Sequence, residues 1–262
     1  GVGPVHVVGH DEVLPFRVTF FFSRFGAGYH IGFSDIARGG WRTVIARSAD
    51  DYITSANTLF REVYVLAHTQ HLKNKDIYEG GSKMVLVLDA SDLEQAGAED
   101  ENCRLYKLQY GIANAFLDIF VTADGVAGDR RVVDYYRDDE PIEIGPDENM
   151  HDGMIEAIAA LSNKRGYILG AGIMSSKRFG INHKEYGVTS TGVVTFAGIT
   201  MADVLGINID RDSFSLKMTG GPNGDVAGNC LHIMLERCPG LQVRLILDGT
   251  AALYDPNGID HD

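Results

Sequence analysis

The feature that most restricts the fold is a strand, turn, helix and strand pattern in the last part of the chain. Apolar alternation predicts strands over Phe214 to Met218 and Val243 to Leu247, with a helix between them from about Val226 to Arg237. Two strands joined through a helix run parallel, because the crossover returns the chain to the edge from which it started. The pattern therefore predicts a βαβ unit and an α/β protein.

The turn of this unit is rich in glycine. It has the spacing Gly221-x-x-Gly224-x-x-Ala227, a departure from G-x-G-x-x-G, and such a turn brings backbone amides and a helix N-terminus to a pyrophosphate. Asp248, 24 residues after Gly224 at the end of the second strand, stands where an acid accepts hydrogen bonds from an adenosine ribose. The motif favours NAD over its 2′-phosphorylated relative, and a purely structural connection is the alternative.

A predicted helix from about Val188 to Leu205 leads into this unit. Only two strands follow, whereas an open parallel sheet that binds a whole dinucleotide normally has several more. We expect residues 1–188 to form an α/β substrate domain. Residues 189–262 would form the first, incomplete part of a Rossmann-type dinucleotide-binding domain.

The predicted substrate domain contains both strands and helices. Its predicted strands are Val5 to Val8, Phe16 to Ser23 and Lys83 to Asp89, and its predicted helices are Asp50 to Gln70, Cys103 to Phe120 and Met154 to Leu161. The glycine-rich segment 26–40 predicts tight turns between strands. The acid cluster at 138–140 indicates a solvated surface.

Two lysines lie ten residues apart, Lys73 and Lys83, and the pair Gly80 and Gly81 comes just before the second. Glycines let the backbone approach a ligand closely, so the segment is suited to hold a small anion against an amine. Lys83 falls where a glycine-rich turn enters a strand, and a partly buried lysine there could do proton chemistry. A surface lysine is the alternative.

Composition excludes several classes of function. The formal net charge of −13 disfavours nucleic acid and anionic membranes as partners. We expect the apolar runs to be too short to span a bilayer, and the three cysteines are not spaced as zinc pairs. His68 and His71 lie three apart without a third ligand, so no metal is expected. We expect a cytoplasmic protein, or a mitochondrial one in a eukaryote.

Six sequence blocks together resemble one known family, the large NAD-dependent glutamate dehydrogenases and especially their fungal-like branch. The blocks are Asp35-Ile-Ala-Arg-Gly-Gly-Trp-Arg42, Thr69-Gln-His-Leu-Lys-Asn-Lys-Asp76, Glu79-Gly-Gly-Ser-Lys83, Gly145-Pro-Asp-Glu-Asn149, His183-Lys-Glu-Tyr-Gly-Val-Thr-Ser190 and Tyr254-Asp-Pro256. They occur in the family's order across nearly the whole chain. Since members are much longer, the resemblance implies a catalytic core without its flanking regions.

The resemblance implies oxidative deamination of L-glutamate to 2-oxoglutarate and ammonium, with hydride transfer from the α-carbon to nicotinamide C4. By resemblance, Lys83 is the catalytic amine that assists water and the carbinolamine, and Asp147 exchanges protons with the substrate nitrogen. For Asp147, Asn149 or Asp152 a helix cap is the alternative. The reaction would take place in a cleft between two domains that closes to exclude water.

Glutamate carries two carboxylates, so its recognition needs cations at both ends. Arg38 stands where the shorter glutamate dehydrogenases have a lysine that binds the side-chain carboxylate. Lys73 resembles the lysine that holds the α-carboxylate, with Lys75 as its rival, and Gly80 and Gly81 complete the substrate-binding residues. Arg42 is a further cation nearby, for which we expect a structural role.

The expected NAD-binding residues lie in the second domain. Thr189 resembles the threonine that contacts the nicotinamide amide, with an ordinary helix-start hydroxyl as the alternative. The remaining NAD-binding residues would be Gly221, Gly224, Asp225, Val226 and Asp248. We expect a homo-oligomer. The competing functions are a dehydrogenase of another amino acid and a non-catalytic regulatory segment that retains the fold.

Overall fold

The chain divides into two units, residues 1–181 and residues 182–262. The structure is a computed structural model that describes residues 13–73, 79–93, 98–175, 186–221, 224 and 226–260. The predicted strand at Val5 to Val8 lies outside the described residues. The assignment of residues 1–188 to the substrate and residues 189–262 to NAD stays a prediction.

The first unit is built on a five-stranded sheet in the order β1-β2-β4-β3-β7. Its strands are β1 (Arg17–Ser23), β2 (Gly26–Gly32), β3 (Ala37–Ala46), β4 (Gly80–Asp89) and β7 (Ile142–Pro146). β1, β2 and β4 pair in antiparallel fashion, and β3 runs parallel to both β4 and β7. The sheet is therefore mixed, and the predicted strand at 83–89 is its buried centre.

The first helix, α1 (Ala49–His71), covers one face of this sheet and confirms the predicted amphipathic helix. It begins at Ser48, whose side chain accepts a hydrogen bond from the backbone amide of Asp51. Its buried positions Leu59, Val63 and Ala67 recur every four residues. This spacing places them on one stripe against β2 and β4.

The opposite face of the sheet packs against two further helices, α2 (Ala98–Phe120) and α3 (Asp152–Arg165), which confirm two predicted helices. A short hairpin of β5 (Thr122–Ala123) and β6 (Val126–Ala127) follows α2. After α3 a 3-10 turn (Gly170–Ile173) returns to the core. The sheet thus has helices on both faces, an α/β architecture as predicted.

The prediction of tight turns over residues 26–40 is wrong for most of that segment, because the glycines lie within β2 and β3. A Cβ at Gly39 would lie 1.7 Å from the carbonyl oxygen of Ser82 in the neighbouring strand. A Cβ at Gly28 would lie 2.3 Å from the carbonyl oxygen of Val85. These glycines permit close approach of β2 and β3 to β4, a role that glycine can also have in strands.

The prediction of a solvated acid cluster at 138–140 is wrong for Glu140, whose side chain is 3% exposed. Glu140 forms an ion pair with Arg17 of β1, and Asp134 lies 3.5 Å from the same guanidinium. Burial raises the pKa of Glu140 despite the opposing effect of Arg17. Glu140 therefore holds its segment of the chain beside the edge strand, which charge counting alone does not reveal.

The second unit contains the predicted βαβ pattern. Its elements are α4 (Val188–Thr200) with a π-helical turn (Met201–Leu205), β8 (Phe214–Thr219), α5 (Ala227–Arg237), β9 (Leu241–Leu247) and β10 (Ala252–Tyr254). β8 and β9 are parallel, as predicted. β10 adds an antiparallel strand beside β9, which the sequence did not predict.

The segment Val188–Leu205 is the one helix of the described ranges that is long and apolar enough to cross a membrane by length and composition alone. The sequence expectation that every apolar run is too short overlooked it. Only 11% of this segment is buried. That no membrane is a partner stays a prediction.

Candidate active site

Lys83 and Asp147 meet on the α1 side of the central sheet. Lys83 lies on β4, and its ammonium donates a hydrogen bond to Oδ2 of Asp147 in the segment that follows β7. The two strands are separated by β3, where Gly40 pairs with both Lys83 and Gly145. A Cβ at Gly40 would lie 2.9 Å from Nζ of Lys83 and 3.2 Å from Oδ2 of Asp147. Because glycine has no Cβ, Gly40 provides the space in which Lys83 and Asp147 contact each other.

The burial of the two groups differs. The side chain of Lys83 is 12% exposed and that of Asp147 is 46% exposed. A lysine so well covered does not fit the alternative of an ordinary surface lysine. The carboxylate is thus partly open to solvent while the amine is largely covered by protein, so a small substrate could approach the pair from the side of the carboxylate.

Asp147 does not cap α3, so the alternative of a helix cap is wrong for this residue. The helix begins at Asp152 after the cap residue His151, which makes no capping hydrogen bond through its side chain. Oδ1 of Asp147 instead accepts the backbone amide of Glu148, and the amide of Asp147 itself donates to the carbonyl of Trp41. These bonds leave Oδ2 directed at Lys83.

The charge state of Asp147 is set by opposing effects. Burial alone would raise its pKa, but the hydrogen bond and charge of Lys83, the Glu148 amide and the charge of Arg42 together lower the pKa below its usual value. Asp147 is therefore a carboxylate at neutral pH. A carboxylate beside an ammonium can accept a proton from a bound amine.

A buried amide network that the sequence analysis missed holds the segment carrying Asp147. Nε2 of Gln109 on α2 donates to the carbonyl of Asn149 at 2.8 Å and to the hydroxyl of Thr43 at 3.1 Å. Nδ2 of Asn149 donates to the carbonyl of Thr43 at 2.7 Å. Asn149 also has φ of 58°, a left-handed conformation that asparagine tolerates. The signal in the sequence was the asparagine that ends Gly145-Pro-Asp-Glu-Asn149.

Arg38 lies two residues before Gly40 on β3, so its side chain leaves the sheet on the same face as Lys83. Its Nε lies 3.0 Å from Glu79 and 3.7 Å from Glu143, and 40% of the side chain is exposed. The guanidinium is thus accessible but already beside two carboxylates. A bound anion would have to share it with Glu79.

The two glycines before Lys83 are packed against protein. A Cβ at Gly81 would lie 2.0 Å from the backbone nitrogen of His71, and one at Gly80 would lie 2.3 Å from Cβ of Ser34. The amide of Gly81 donates to Nδ1 of His71 at 3.4 Å. These contacts bring the end of α1 to the start of β4. Lys73, exposed just beyond that end, is therefore close in sequence to the Gly81 contact.

Two site predictions of the sequence, Lys75 and Asp225, lie outside the described residues. His68 and His71 both have their rings beside Phe33, at centroid distances of 5.2 and 5.5 Å. Within the described ranges no group of three or more histidine, cysteine, aspartate or glutamate side chains could hold a metal ion.

In the second unit, the acid at the end of β9 lies against the glycine-rich turn. A Cβ at Gly221 would lie 2.1 Å from Oδ2 of Asp248, and Gly221 has φ of 65°. A Cβ at Gly224 would lie 2.4 Å from the carbonyl oxygen of Gly220. Glycine is required at Gly221 by both conformation and space. The turn and the acid are thus adjacent at the carboxyl ends of two parallel strands, where α/β sheets bind ligands.

The starts of α4 and α5 are joined by Ser190, another residue that the sequence analysis missed. Its hydroxyl donates to the carbonyl of Val226 at 3.0 Å. Val226 is the cap residue of α5 and makes no capping bond through its side chain. Thr189, the second residue of α4, is exposed beside this junction. The α5 N-terminus, the turn and Thr189 therefore belong to one end of this unit.

Comparison with known proteins gives the family. Residues 4–256 match the sequence profile described as bacterial NAD-glutamate dehydrogenase, catalytic domain. The chain belongs to the bacterial NAD-glutamate dehydrogenase family. The predicted resemblance to large NAD-dependent glutamate dehydrogenases is thereby confirmed.

Curated relatives match most of this glutamate dehydrogenase domain. The chain is 35% identical over 239 residues to the NAD-specific glutamate dehydrogenase of Neurospora crassa. This alignment covers 90% of the chain and 21% of the relative. It is 33% identical over 251 residues to the enzyme of the same name from Saccharomyces cerevisiae, covering 95% of the chain and 21% of the relative. The domain thus spans about a fifth of the length of these relatives.

Solved structures show the same fold at low sequence identity. A hetero-hexameric glutamate dehydrogenase from Thermus thermophilus in a leucine-bound form aligns with a TM-score of 0.58 and 16% identity, over 94% of the chain and 53% of the solved chain. A second structure, named glutamate dehydrogenase, aligns with a TM-score of 0.56 and 15% identity over 94% of the chain and 49% of the solved chain. The α/β fold class predicted from the sequence is confirmed.

Proposed function

We propose that the protein that carries this domain catalyses the NAD-dependent oxidative deamination of L-glutamate to 2-oxoglutarate and ammonium. The observation that carries the proposal is the contact of the buried Lys83 ammonium with the Asp147 carboxylate, in a chain of the NAD-glutamate dehydrogenase family. The relatives from Neurospora crassa and Saccharomyces cerevisiae are both named NAD-specific glutamate dehydrogenase. We extend the proposal to a cytoplasmic homo-oligomer.

Asp147 would take the proton from the ammonium group of the bound amino acid, since its lowered pKa keeps it ionised. NAD, when bound, accepts the hydride of the substrate α-carbon. Lys83 would then stabilise the negative charge that develops on the oxygen of the water as it adds to the iminium carbon and releases one proton to solvent. Asp147 would return its proton to the nitrogen, and as the C–N bond breaks the hydroxyl proton of the carbinolamine would leave with ammonia as ammonium. The hydrogen bond between the two groups allows such exchange without movement of the sheet.

Arg38 and Lys73 would bind the two carboxylates of glutamate. Arg38 extends from the same sheet face as Lys83, and a planar guanidinium suits a bidentate contact with a carboxylate. The side-chain carboxylate would compete with Glu79, 3.0 Å from Nε of Arg38. Lys73 and its rival Lys75 remain candidates for the α-carboxylate.

NAD would bind at the glycine-rich turn of the second unit. The fit is supported by Gly221, where any side chain would collide with Asp248, and by the uncapped start of α5. Gly224 and Val226 would face the pyrophosphate, and Asp248 would accept hydrogen bonds from the adenosine ribose. Asp225, outside the described residues, stays a candidate from the sequence. Thr189 would contact the nicotinamide amide.

The test is glutamate-dependent formation of NADH by the intact protein, followed by absorbance. Lys83→Ala should lower kcat by about 10³-fold while the affinity for NAD stays nearly unchanged, since general acid–base groups contribute about 10² to 10⁴. Lys107→Ala, an exposed lysine on α2, is the matched control and should retain full activity. A folded intact protein without glutamate-dependent NADH formation would support a non-catalytic role.

The competing substrate class is another amino acid. Arg38→Leu removes the cation that would bind the side-chain carboxylate, so we expect KM for glutamate to rise about 100-fold, as the loss of a charged hydrogen bond predicts. Undiminished turnover of glutamate by this variant would favour an enzyme for a different amino acid.

A further inference from the structure

Arg42 connects the segment of Asp147 to helix α1. The residue lies on β3 two positions after Gly40, on the same face of the sheet as Lys83. Its Nη1 donates to Oε1 of Glu62 on α1 at 2.7 Å, and its Nη2 lies 2.8 Å from Oε2 of Glu148. Glu148 directly follows Asp147. One guanidinium therefore spans from the helix to the neighbour of the proposed proton acceptor.

The two ion pairs of Arg42 indicate that its position is fixed. The side chain is 31% exposed, and its Nε is buried without a hydrogen-bond partner among the described residues. The guanidinium is thus held by the two carboxylates at its outer nitrogens. A group held at both outer nitrogens keeps its charge in one place, next to the residue that follows Asp147.

In the described part of the chain, two cations act on Asp147, and two carboxylates bind one of these cations. Lys83 of β4 contacts Asp147 directly and has the larger effect, and the charge of Arg42 on β3 adds a smaller contribution in favour of the ionised carboxylate. Glu148 and Glu62 are anions that bind Arg42 and so reduce its effect on Asp147. Glu148 is 55% exposed and Glu62 is 30% exposed, so solvent screens Glu148 more strongly.

We propose that Arg42 is a positioning residue that assists Lys83 in keeping Asp147 in its carboxylate form, and that Glu62 sets the strength of the Arg42 contribution from α1. The proposal rests on the proposed function, because it concerns the protonation of the same acid. It assigns to Arg42 more than the structural role that the sequence suggested. It also gives α1 a part in the chemistry, although no residue of the helix would touch the substrate.

The proposal predicts opposite shifts for variants that break the same ion pair. In Arg42→Gln the carboxylate of Asp147 loses a cation, so the acid limb of kcat/KM for glutamate should move to higher pH. In Glu62→Gln the guanidinium is no longer partly neutralised, so the acid limb should move to lower pH. Glu148→Gln should move it in the same direction as Glu62→Gln, but less, because Glu148 is more exposed.

Two controls separate charge from structure. Arg47→Gln removes an exposed arginine that forms 2.8 Å bonds with Glu101, and it should leave the pH profile unchanged. Arg42→Lys keeps the charge and should restore most of the wild-type limb. If Arg42→Gln does not fold, Glu62→Gln and Arg42→Lys still test the direction of the effect.

The experiment measures kcat/KM against pH for the intact protein and its variants. A second readout is the infrared carboxylate band of protein labelled with ¹³C-aspartate, in which the Asp147 signal is identified by its loss in Asp147→Asn. Opposite shifts of the acid limb, or of this band's titration, support the proposal. If Arg42→Gln and Glu62→Gln both lower activity without a shift, or shift the limb in the same direction, the proposal is wrong. The infrared titration tests Arg42 even if glutamate is not turned over, so failure of the proposed function is recognised separately.

Discussion

Replacing Gly40 by alanine should lower the proposed glutamate turnover without unfolding the protein. The new Cβ would lie 2.9 Å from Nζ of Lys83, whereas an ordinary contact begins at 3.4 Å, so the ammonium must retreat by about 0.5 Å. Oδ2 of Asp147 would lie 3.2 Å from the same Cβ and must also shift by a few tenths of an ångström. Nζ is the end of a flexible side chain, so it can move without displacing the backbone. Because a misplacement of about 1 Å can cost about 100-fold, we expect kcat to fall about 10- to 100-fold.

Two other glycines provide the comparison. Gly39→Ala would place its Cβ 1.7 Å from a backbone oxygen of β4, so this variant should fail to fold. Gly111→Ala lies in open space on α2, and it should stabilise the fold by about 1 kcal/mol with unchanged kcat. The assays are steady-state NADH formation and urea unfolding. A Gly40→Ala protein with wild-type kcat would refute the account of how the Lys83 and Asp147 pair is accommodated.

Two further predictions concern coenzyme choice and acid stability. Asp248→Ser should reduce the ratio of kcat/KM for NAD to kcat/KM for NADP by about 10-fold or more, because the ribose loses a charged hydrogen-bond acceptor worth about 1.5 to 3 kcal/mol. An unchanged ratio would show that Asp248 does not bind the coenzyme. His30 is fully buried, with its ring beside those of Phe116 and Phe120. Burial, and to a smaller extent the charge of Arg17, lowers the pKa of His30 to about 3. Its contribution to the free energy of unfolding is therefore complete above about pH 6.5 and is lost as the pH falls toward 3. Between pH 7 and pH 5 this loss should be about 2 kcal/mol in urea unfolding and should be absent from His30→Leu, and equal losses in both proteins would contradict it.

The elements with strong periodicity were predictable from the sequence. The helix at Ala49–His71 and the parallel unit of β8, α5 and β9 follow from patterns that depend on one segment at a time. The strand positions of the glycines in β2 and β3 were not predictable, because glycine occurs both in turns and in closely packed strands. Only the neighbouring carbonyls of β4 distinguish the two cases.

The site was predictable in its residue types but not in its contacts. Lys83 and Asp147 were expected to act together, and the structure brings them into contact across 64 positions of sequence. That Gly81 packs on His71, and that Glu79 binds Arg38, could not be foreseen, since both depend on how α1 and β3 meet β4. The roles of Gln109 and Ser190 were likewise hidden, because each acts through a hydrogen bond to distant backbone.

The central proposal is hydride transfer from the α-carbon of glutamate to NAD at the site of Lys83 and Asp147. The most direct measurement is turnover of glutamate deuterated at the α-carbon by the intact protein, followed by analysis of the reduced coenzyme. We expect one deuterium at nicotinamide C4 for each 2-oxoglutarate and ammonium formed. Lys83→Ala should form these products at about a thousandth of the wild-type rate or less. Reduced coenzyme without deuterium, or deuterated coenzyme formed at an undiminished rate by Lys83→Ala, would contradict the account.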